Sequence, residues 1–183
     1  REGYALHPKA LKAMVKRSTL TGQQGGRNQR GKASQYSLQL REKQKVKRLY
    51  GLLERQFEKL MKEASRSQGQ SGQVLLKFLE LRLDNVIYRA GFAPSRTAAR
   101  QLVTHGHFTL NGRRVDIPSI RVSAGDEIVA TTKSTNNSYF QRLDEVSPAG
   151  EVTQSWLKVN RKKLTVVITG EPTREESEPD INE

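Results

Sequence analysis

Cysteine is absent from this 183-residue sequence, and aromatic residues make up only 6% of it. Without a thiol the chain has no disulfide, no thiolate metal site and no catalytic cysteine. The scarcity of aromatic rings argues against a surface that binds nucleic acid mainly by stacking bases. No apolar run approaches the roughly 18 residues that a bilayer-spanning helix needs, so we expect no membrane partner.

Groups of residues that could carry out catalysis are also lacking. His105 and His107 flank Gly106, no carboxylate stands at ligand spacing from them, and the remaining histidine, His7, is distant in sequence. A zinc site therefore has little support. The run TGQQGG lacks the Lys-Ser/Thr of a nucleotide-binding loop. We expect a protein that is not an enzyme and has no metal, no cofactor and no small-molecule substrate.

Positive charge is abundant, with 32 Lys and Arg against 19 Asp and Glu and a net charge of +13. Most of the excess lies in the first 70 residues, whereas the last residues, EPTREESEPDINE, are acidic. A cationic surface of this strength favours a polyanionic partner, since each neutralised phosphate releases condensed counterions.

The first third of the chain alternates helical and flexible patterns. Residues 8–17 predict a short helix, and residues 18–35 form a Gly-rich polar segment that carries Arg27, Arg30 and Lys32. A plain flexible linker is the alternative interpretation of that segment, although a linker has no need of interleaved cations.

Residues 38–64 have apolar side chains at three- and four-residue steps, which predicts an amphipathic helix, or two if Gly51 breaks it. On a helical wheel the apolar side includes Val46, Leu49, Leu53 and Phe57. The opposite side is basic and consists of Arg41, Lys45, Arg48, Arg55, Lys59 and Lys62. An ordinary solvated face is the other interpretation, but Glu42 is the only carboxylate among the five cations between positions 41 and 48.

A polar loop at 65–73 precedes VLLKFLELRLDNVIYRA, residues 74–90, which we predict to be one buried helix that ends at Gly91. Asp84 in this helix is expected to pair with a cation. Ser95 is then a predicted N-cap, Gly106 a helix stop, and Asn111-Gly112 a hairpin turn. Short strands are predicted at 121–122, 128–129, 156–160 and 164–170, with one or two helical turns at 139–146. The fold class is α+β with a short twisted sheet.

Arginines run through the stretch from 95 to 128. Arg96 lies near a helix N-terminus, Arg100 follows one turn later, and Arg113 and Arg114 return beside them on the hairpin. Arginine forks onto phosphate oxygens, and helix N-termini attract phosphate. These residues predict a surface that recognises RNA by its shape and backbone, because an A-form groove does not admit a reading helix.

At these residues the chain resembles the small-subunit ribosomal protein S4 family of bacterial and organellar type. The similarity runs through LELRLDNVIYRAGFAPSRTAARQLVTHGHFTLNGRRVDIPSIRVSAGD (79–126), LREKQKVKRLYGLLERQFEKLMKEA (40–64) and the later WLKV and PTRE…DINE. The central module also occurs in other RNA-binding proteins, so the flanking REKQKVKRLYG and RLDNVIYR narrow the resemblance to the ribosomal family. A free RNA-binding stress or quality-control factor with the same module is the main alternative.

The resemblance implies a primary rRNA-binding protein that joins helices at a multi-way junction in the 5′ domain of small-subunit rRNA, nucleates assembly and lines the channel where mRNA enters. Implied partners are rRNA, mRNA and ribosomal proteins S5 and S3, in a bacterial cytoplasmic or an organellar ribosome. Arg27, Arg30 and Lys32 are the mRNA candidates. Expected RNA-binding residues are Arg41, Lys43, Lys45, Lys47, Arg48, Arg55, Ser95, Arg96, Arg100, Gln101, His105, Gly106, His107, Asn111, Gly112, Arg113 and Arg114.

The expected organisation has three parts. Residues 1–36 form a basic N-terminal segment, residues 37–91 a helical domain, and residues 92–169 an S4-type RNA-binding domain with a β extension. The tail, residues 170–183, is expected to pack with the helical domain. Two departures from the family pattern stand out: the chain cannot form the N-terminal cysteine zinc site of some relatives, and PGQHG is replaced by TGQQG. Relatives extend beyond both ends of this sequence, so we expect further residues there.

Overall fold

The computed structural model of the chain describes residue 5 and residues 8–16, 34–148, 154–178 and 181. The chain divides into two compact units, which are residues 1–57 with 180–183 and residues 58–179. Arg27, Arg30 and Lys32 in the Gly-rich segment lie outside the described residues. The three-part organisation expected from the sequence, with boundaries at 36, 91 and 169, stays a prediction.

The first unit is helical where it is described. Helix α1 spans Pro8–Lys16, α2 spans Gln35–Leu49, and α3, Glu54–Arg66, begins in this unit. Ser34 caps α2, because its side-chain oxygen accepts a hydrogen bond from the backbone N–H of Ser37 at 3.3 Å. Gly51 has a φ of 64° and separates α2 from α3, so the predicted break at this glycine is confirmed.

The helical wheel assigned two residues of this unit wrongly. Lys45, predicted on the basic side, is 8% exposed, and Leu53, predicted on the apolar side, is 72% exposed. The turn at Gly51 resets the helical phase, so Leu52 is buried in place of Leu53. Val46, Leu49 and Phe57 are buried as predicted.

The predicted single helix at 74–90 is wrong, because the second unit has two helices there. Helix α4 spans Ser71–Glu80 and α5 spans Leu83–Arg89. Between them the Leu83 N–H donates to the Ile120 carbonyl at 2.8 Å, and the Val122 N–H donates to the Leu81 carbonyl at 2.9 Å. These backbone groups pair with a distant segment and cannot continue the helical ladder.

A five-stranded antiparallel sheet follows α6, Arg96–Thr104. The strands are β1 Phe108–Leu110, β2 Arg113–Val115, β3 Glu127–Ala130, β4 Leu157–Asn160 and β5 Thr165–Ile168, in the order β2-β1-β3-β5-β4. Three short helical turns lie in sequence between β3 and β4: α7 Thr132–Thr135, α8 Ser138–Gln141 and α9 Leu143–Val146. This arrangement confirms the α+β class. Arg121 forms only an isolated bridge with Arg82, so the predicted strand at 121–122 is wrong.

One hydrophobic core fixes α6 in the second unit. Phe92 and Phe108 stack with ring centroids 6.2 Å apart, and Phe140 meets Phe108 edge-on at 6.0 Å. Ala99 and Val103 of α6 are fully buried in the same cluster. Because these two residues fix the buried side of α6, the polar residues between them are directed away from the core.

Candidate nucleic-acid interface

Helix α6 presents the polar side that the sequence predicts. The Ser95 hydroxyl oxygen accepts a hydrogen bond from the Ala98 N–H at 3.2 Å and caps the helix, as expected. Gln101 is exposed. Arg100 keeps one third of its side-chain surface in solvent, and its Nε lies 3.7 Å from the Asp84 carboxylate.

Asp84 pairs with cations, as the sequence predicts. Arg82 donates to both carboxylate oxygens of Asp84, at 3.1 and 3.0 Å, and both residues are buried. Two hydrogen bonds from Arg82 and a longer contact from Arg100 mean that Arg82 is the principal partner. The Nε of Arg100 therefore lies near the Asp84 carboxylate, while the exposed third of its side chain faces solvent.

Arg96, the other arginine of the predicted RNA surface, is largely enclosed. Its Nε donates to the Asn85 side-chain oxygen at 2.8 Å, and a terminal nitrogen donates to Glu178 Oε1 at 2.5 Å. The guanidinium carbon also lies 4.7 Å from the Tyr88 ring centroid. Only 15% of the side chain is exposed, so Arg96 joins α5, α6 and the C-terminal tail.

The end of α6 and the hairpin meet at Gly106. Arg114 donates from Nε to the Gly106 carbonyl at 3.2 Å and from a terminal nitrogen to the His105 carbonyl at 3.4 Å. Gly106 has a φ of 69°, and a methyl group there would lie 2.6 Å from the Arg114 guanidinium. Glycine therefore permits both the helix stop and the close approach of Arg114.

Substituting Gly106 by alanine is expected to lower the free energy of unfolding by about 2 kcal/mol, because the methyl group adds left-handed strain and displaces Arg114. Gly112→Ala is the matched control, since Gly112 has a φ of 78° but nothing within 4 Å of the added carbon. That variant should lose only about 1 kcal/mol from backbone strain. Urea unfolding of both variants makes the comparison, and equal losses would show that Arg114 adapts freely.

Asn111 fixes the hairpin turn to the sheet, whereas Arg113 beside it faces solvent. The Asn111 side chain donates to Asp126 at 2.8 Å and accepts from the Glu127 N–H at 2.9 Å, which fixes the turn to β3. Asn111 and Gly112 have positive φ, so the predicted Asn-Gly turn is confirmed. Arg113 is exposed and has no side-chain hydrogen bond or ion pair within the described parts of the chain.

The two histidines lie side by side, with ring centroids 6.0 Å apart. His105 is exposed, whereas His107 is half-buried, with its Nδ1 2.9 Å from the Ser134 hydroxyl and its ring edge-on to Phe140. Burial lowers the pKa of His107 below 6.5, and the charges of His105 and Arg114 lower it further. The ring is therefore neutral near pH 7 and acts as a hydrogen-bonding group.

The predicted cations of the first unit differ in how freely they face solvent. Lys43 and Lys47 both donate to Glu54, the latter at 2.6 Å, and these two hydrogen bonds lower the pKa of Glu54 to about 2. Lys45 is buried and its Nζ lies 3.7 Å from Glu42. Arg41, Arg48 and Arg55 are exposed, and so is Lys43 despite its pairing with Glu54.

Several exposed cations of the second unit lie outside the predicted set: Lys133, Arg142, Lys158, Lys162 and Lys163. The sequence signal for Lys162 and Lys163 is only a short run of basic residues between two strands, which does not distinguish a binding surface from a solvated turn, and the other three are single cations without a pattern. Within the described residues no group of three His, Asp or Glu side chains could hold a metal ion. No helix in that part of the chain is long and apolar enough to cross a membrane.

Two family models match consecutive parts of the chain, which together are residues 1–128. The family model for the ribosomal protein S4/S9 N-terminal domain matches residues 1–80, and the model for the S4 domain matches residues 81–128.

Similar full-length proteins include the small ribosomal subunit protein uS4 of Clostridioides difficile, which is 51% identical over 93% of this chain and 81% of its own length. The protein of the same name from Chlorobaculum tepidum is 47% identical over 100% of this chain and 89% of its own length. That from Chloroflexus aurantiacus is 44% identical with the same coverage.

Proposed function

The chain belongs to the small-subunit ribosomal protein uS4 family, and we propose that it binds ribosomal RNA directly as a non-enzymatic constituent of the small ribosomal subunit. The observation that supports this most strongly is the exposed polar surface on α6 and the hairpin. Arg113 is free among the described residues, Arg100 keeps one third of its side chain in solvent, and Gln101 and His105 are exposed. Two arginines together with a side-chain amide and an imidazole suit phosphates and 2′-hydroxyls of folded RNA.

The proposed role at an RNA junction rests on a second cationic surface in the other unit. Arg41, Arg48 and Arg55 of α2 and α3 are exposed there. Two basic surfaces on separate units allow one chain to contact more than one RNA helix, which is the requirement for organising a multi-helix junction in the 5′ domain and for nucleating assembly. We place the protein in the bacterial cytoplasm, with an organellar ribosome as the alternative.

A co-sedimentation experiment tests the ribosomal role. The protein should be stoichiometric in small subunits that have been washed in high salt, because many phosphate contacts act together. A free stress or quality-control factor would instead be substoichiometric and would leave at moderate salt, and that result would contradict the proposal.

Contacts with mRNA and with ribosomal proteins S5 and S3 are the finer part of the proposal, supported by the sequence resemblance. For the mRNA contact, replacing Arg27, Arg30 and Lys32 together by alanine should slow movement of ribosomes through structured mRNA. Binding of the variant to rRNA should stay within about threefold of the unmodified protein, because the other basic surfaces remain. An equal loss of rRNA binding would instead make these three residues ordinary rRNA contacts.

A further inference from the structure

We infer that the β4–β5 turn, residues 160–164, together with Lys158 forms a further phosphate-binding surface that holds the backbone of a ribosomal RNA segment. The inference rests on the proposed function but concerns residues that lie outside the matched S4-domain model, residues 81–128, and outside the predicted RNA surface. The exposed basic side chains of this surface are Lys158, Lys162 and Lys163. We call this surface the distal turn.

The distal turn lies at the far edge of the sheet from the hairpin. In the order β2-β1-β3-β5-β4, the strand that carries Arg113 is at one edge and the strand that carries Lys158 is at the other. Four inter-strand spacings of about 4.8 Å place these edges about 19 Å apart. One phosphate group cannot reach both, so the distal turn would contact a different stretch of RNA backbone.

The turn has a fixed conformation. Leu164 has a φ of 52° although it is buried, and the Asn160 side-chain oxygen accepts a hydrogen bond from the Lys163 N–H at 3.0 Å. A left-handed conformation at a branched, buried residue persists only where its surroundings enforce it.

Arg161 supplies much of that enforcement. It donates to the Gly91 carbonyl at 2.7 Å, to the Ser147 carbonyl at 2.6 Å and to the Asp144 carboxylate at 3.0 Å. One arginine of the basic run therefore ties the turn to the body of the unit, and the two lysines that follow it are held out on a rigid base. Because the turn is already rigid, binding of a phosphate would order few additional groups and so would cost little conformational entropy.

The three lysines are available to an anion. None of their ammonium groups has an ion pair or hydrogen bond within the described residues, and the carboxylate of Asp144 is already paired with Arg161. Two other lysines of the same unit are paired instead, since Lys62 pairs with Glu58 and Lys77 pairs with Glu171. An uncompensated group of cations attracts phosphate and gains counterion release when it binds.

The chemistry of the distal turn favours RNA over an acidic protein. Leu157, Leu164 and Val166 are buried, and none of the large exposed apolar side chains of the described chain lies between 157 and 169. Protein interfaces have an apolar centre, often with aromatic residues, inside a polar rim. A rigid, purely polar and cationic turn matches a phosphate backbone instead.

The experiment compares two double variants of the full chain in binding to a transcript of the 5′ domain of small-subunit rRNA. Lys162→Ala with Lys163→Ala removes two free cations. Lys62→Ala with Lys77→Ala removes the same net charge from two lysines that are paired with carboxylates. Affinities are measured at several KCl concentrations between about 50 and 200 mM, where the slope of log K against log salt counts the phosphate contacts.

The distal-turn variant should have a salt slope about 1.5 smaller in magnitude than the unmodified protein, and an affinity roughly 5- to 30-fold lower at low salt. The control variant should keep the original slope, and both should keep the original thermal midpoint. Equal slopes in the two double variants would overturn the inference, because the turn would then be an ordinary solvated surface.

Two further outcomes would also overturn the inference. If the distal-turn variant binds naked rRNA normally but fails to join assembled subunits, the turn contacts an acidic protein and not RNA. If the unmodified protein does not bind the transcript, the proposed function itself fails. If the unmodified protein binds the transcript and the distal-turn variant binds it equally well, only the inference about the turn fails and the proposed function stands.

Discussion

Replacing Glu80 by alanine is expected to lower the free energy of unfolding by about 3–5 kcal/mol. The Glu80 side chain is 1% exposed and accepts hydrogen bonds from Arg89 at 2.9 and 2.7 Å and from the Asn85 side chain at 2.7 Å. Alanine would leave the largely enclosed Arg89 guanidinium without its bidentate partner. The cost is large because a charge would stay enclosed after losing the carboxylate that accepts two of its hydrogen bonds, while Arg96 still shares the Glu178 carboxylate with it.

Urea unfolding of three variants makes this test specific. Glu80→Gln keeps the shape and one acceptor, so it should cost less than alanine. Glu58→Ala removes a carboxylate from an exposed pair with Lys62 and should change stability by about 0.5 kcal/mol or less. A loss from Glu80→Ala as small as that from Glu58→Ala would show that the buried network contributes no net stability.

Replacing Arg100 and Arg113 together by alanine is expected to weaken binding to 5′-domain rRNA by about 10- to 100-fold and to reduce the magnitude of the salt slope by one to two phosphate contacts. Arg113 is exposed and free among the described residues, and Arg100 is one-third exposed. The fold should survive, because Arg82 still pairs with Asp84 through two hydrogen bonds. Filter binding at several salt concentrations measures both quantities.

Arg96→Ala is the informative contrast to that double variant. Arg96 is held by Asn85, Glu178 and the Tyr88 ring, and little of it faces solvent. Its removal should lower stability while leaving the salt slope nearly unchanged. The opposite pattern, with an intact slope for the double variant and a reduced slope for Arg96→Ala, would mean that RNA displaces the tail and uses Arg96 as the main phosphate contact.

Local signals account for what could be predicted. Ser95 as an N-cap, Gly106 as a helix stop and Asn111-Gly112 as a hairpin turn are each determined by residues within a few positions. Such features depend on backbone conformations that only a few residue types favour. The helix and the hairpin that carry the main cationic stretch of the second unit could therefore be predicted from the sequence.

Long-range contacts account for what could not be predicted. The break between α4 and α5 depends on hydrogen bonds to residues 120–122, nearly forty positions away. The enclosure of Arg96 depends on Glu178, 82 positions further along the chain. The sequence pattern is the same for an arginine that faces solvent and for one that is paired with an acidic residue far along the chain. The sequence alone therefore overestimated the solvent exposure of Arg96.

Hydroxyl-radical footprinting of naked small-subunit rRNA tests the central claim of direct rRNA binding most directly. The protein alone, without other ribosomal proteins, should protect backbone positions from several helices that converge on one junction in the 5′ domain. The Arg100→Ala, Arg113→Ala double variant should lose a discrete part of that protection. Protection that is absent, or spread evenly along the RNA, would contradict specific recognition of rRNA by this chain.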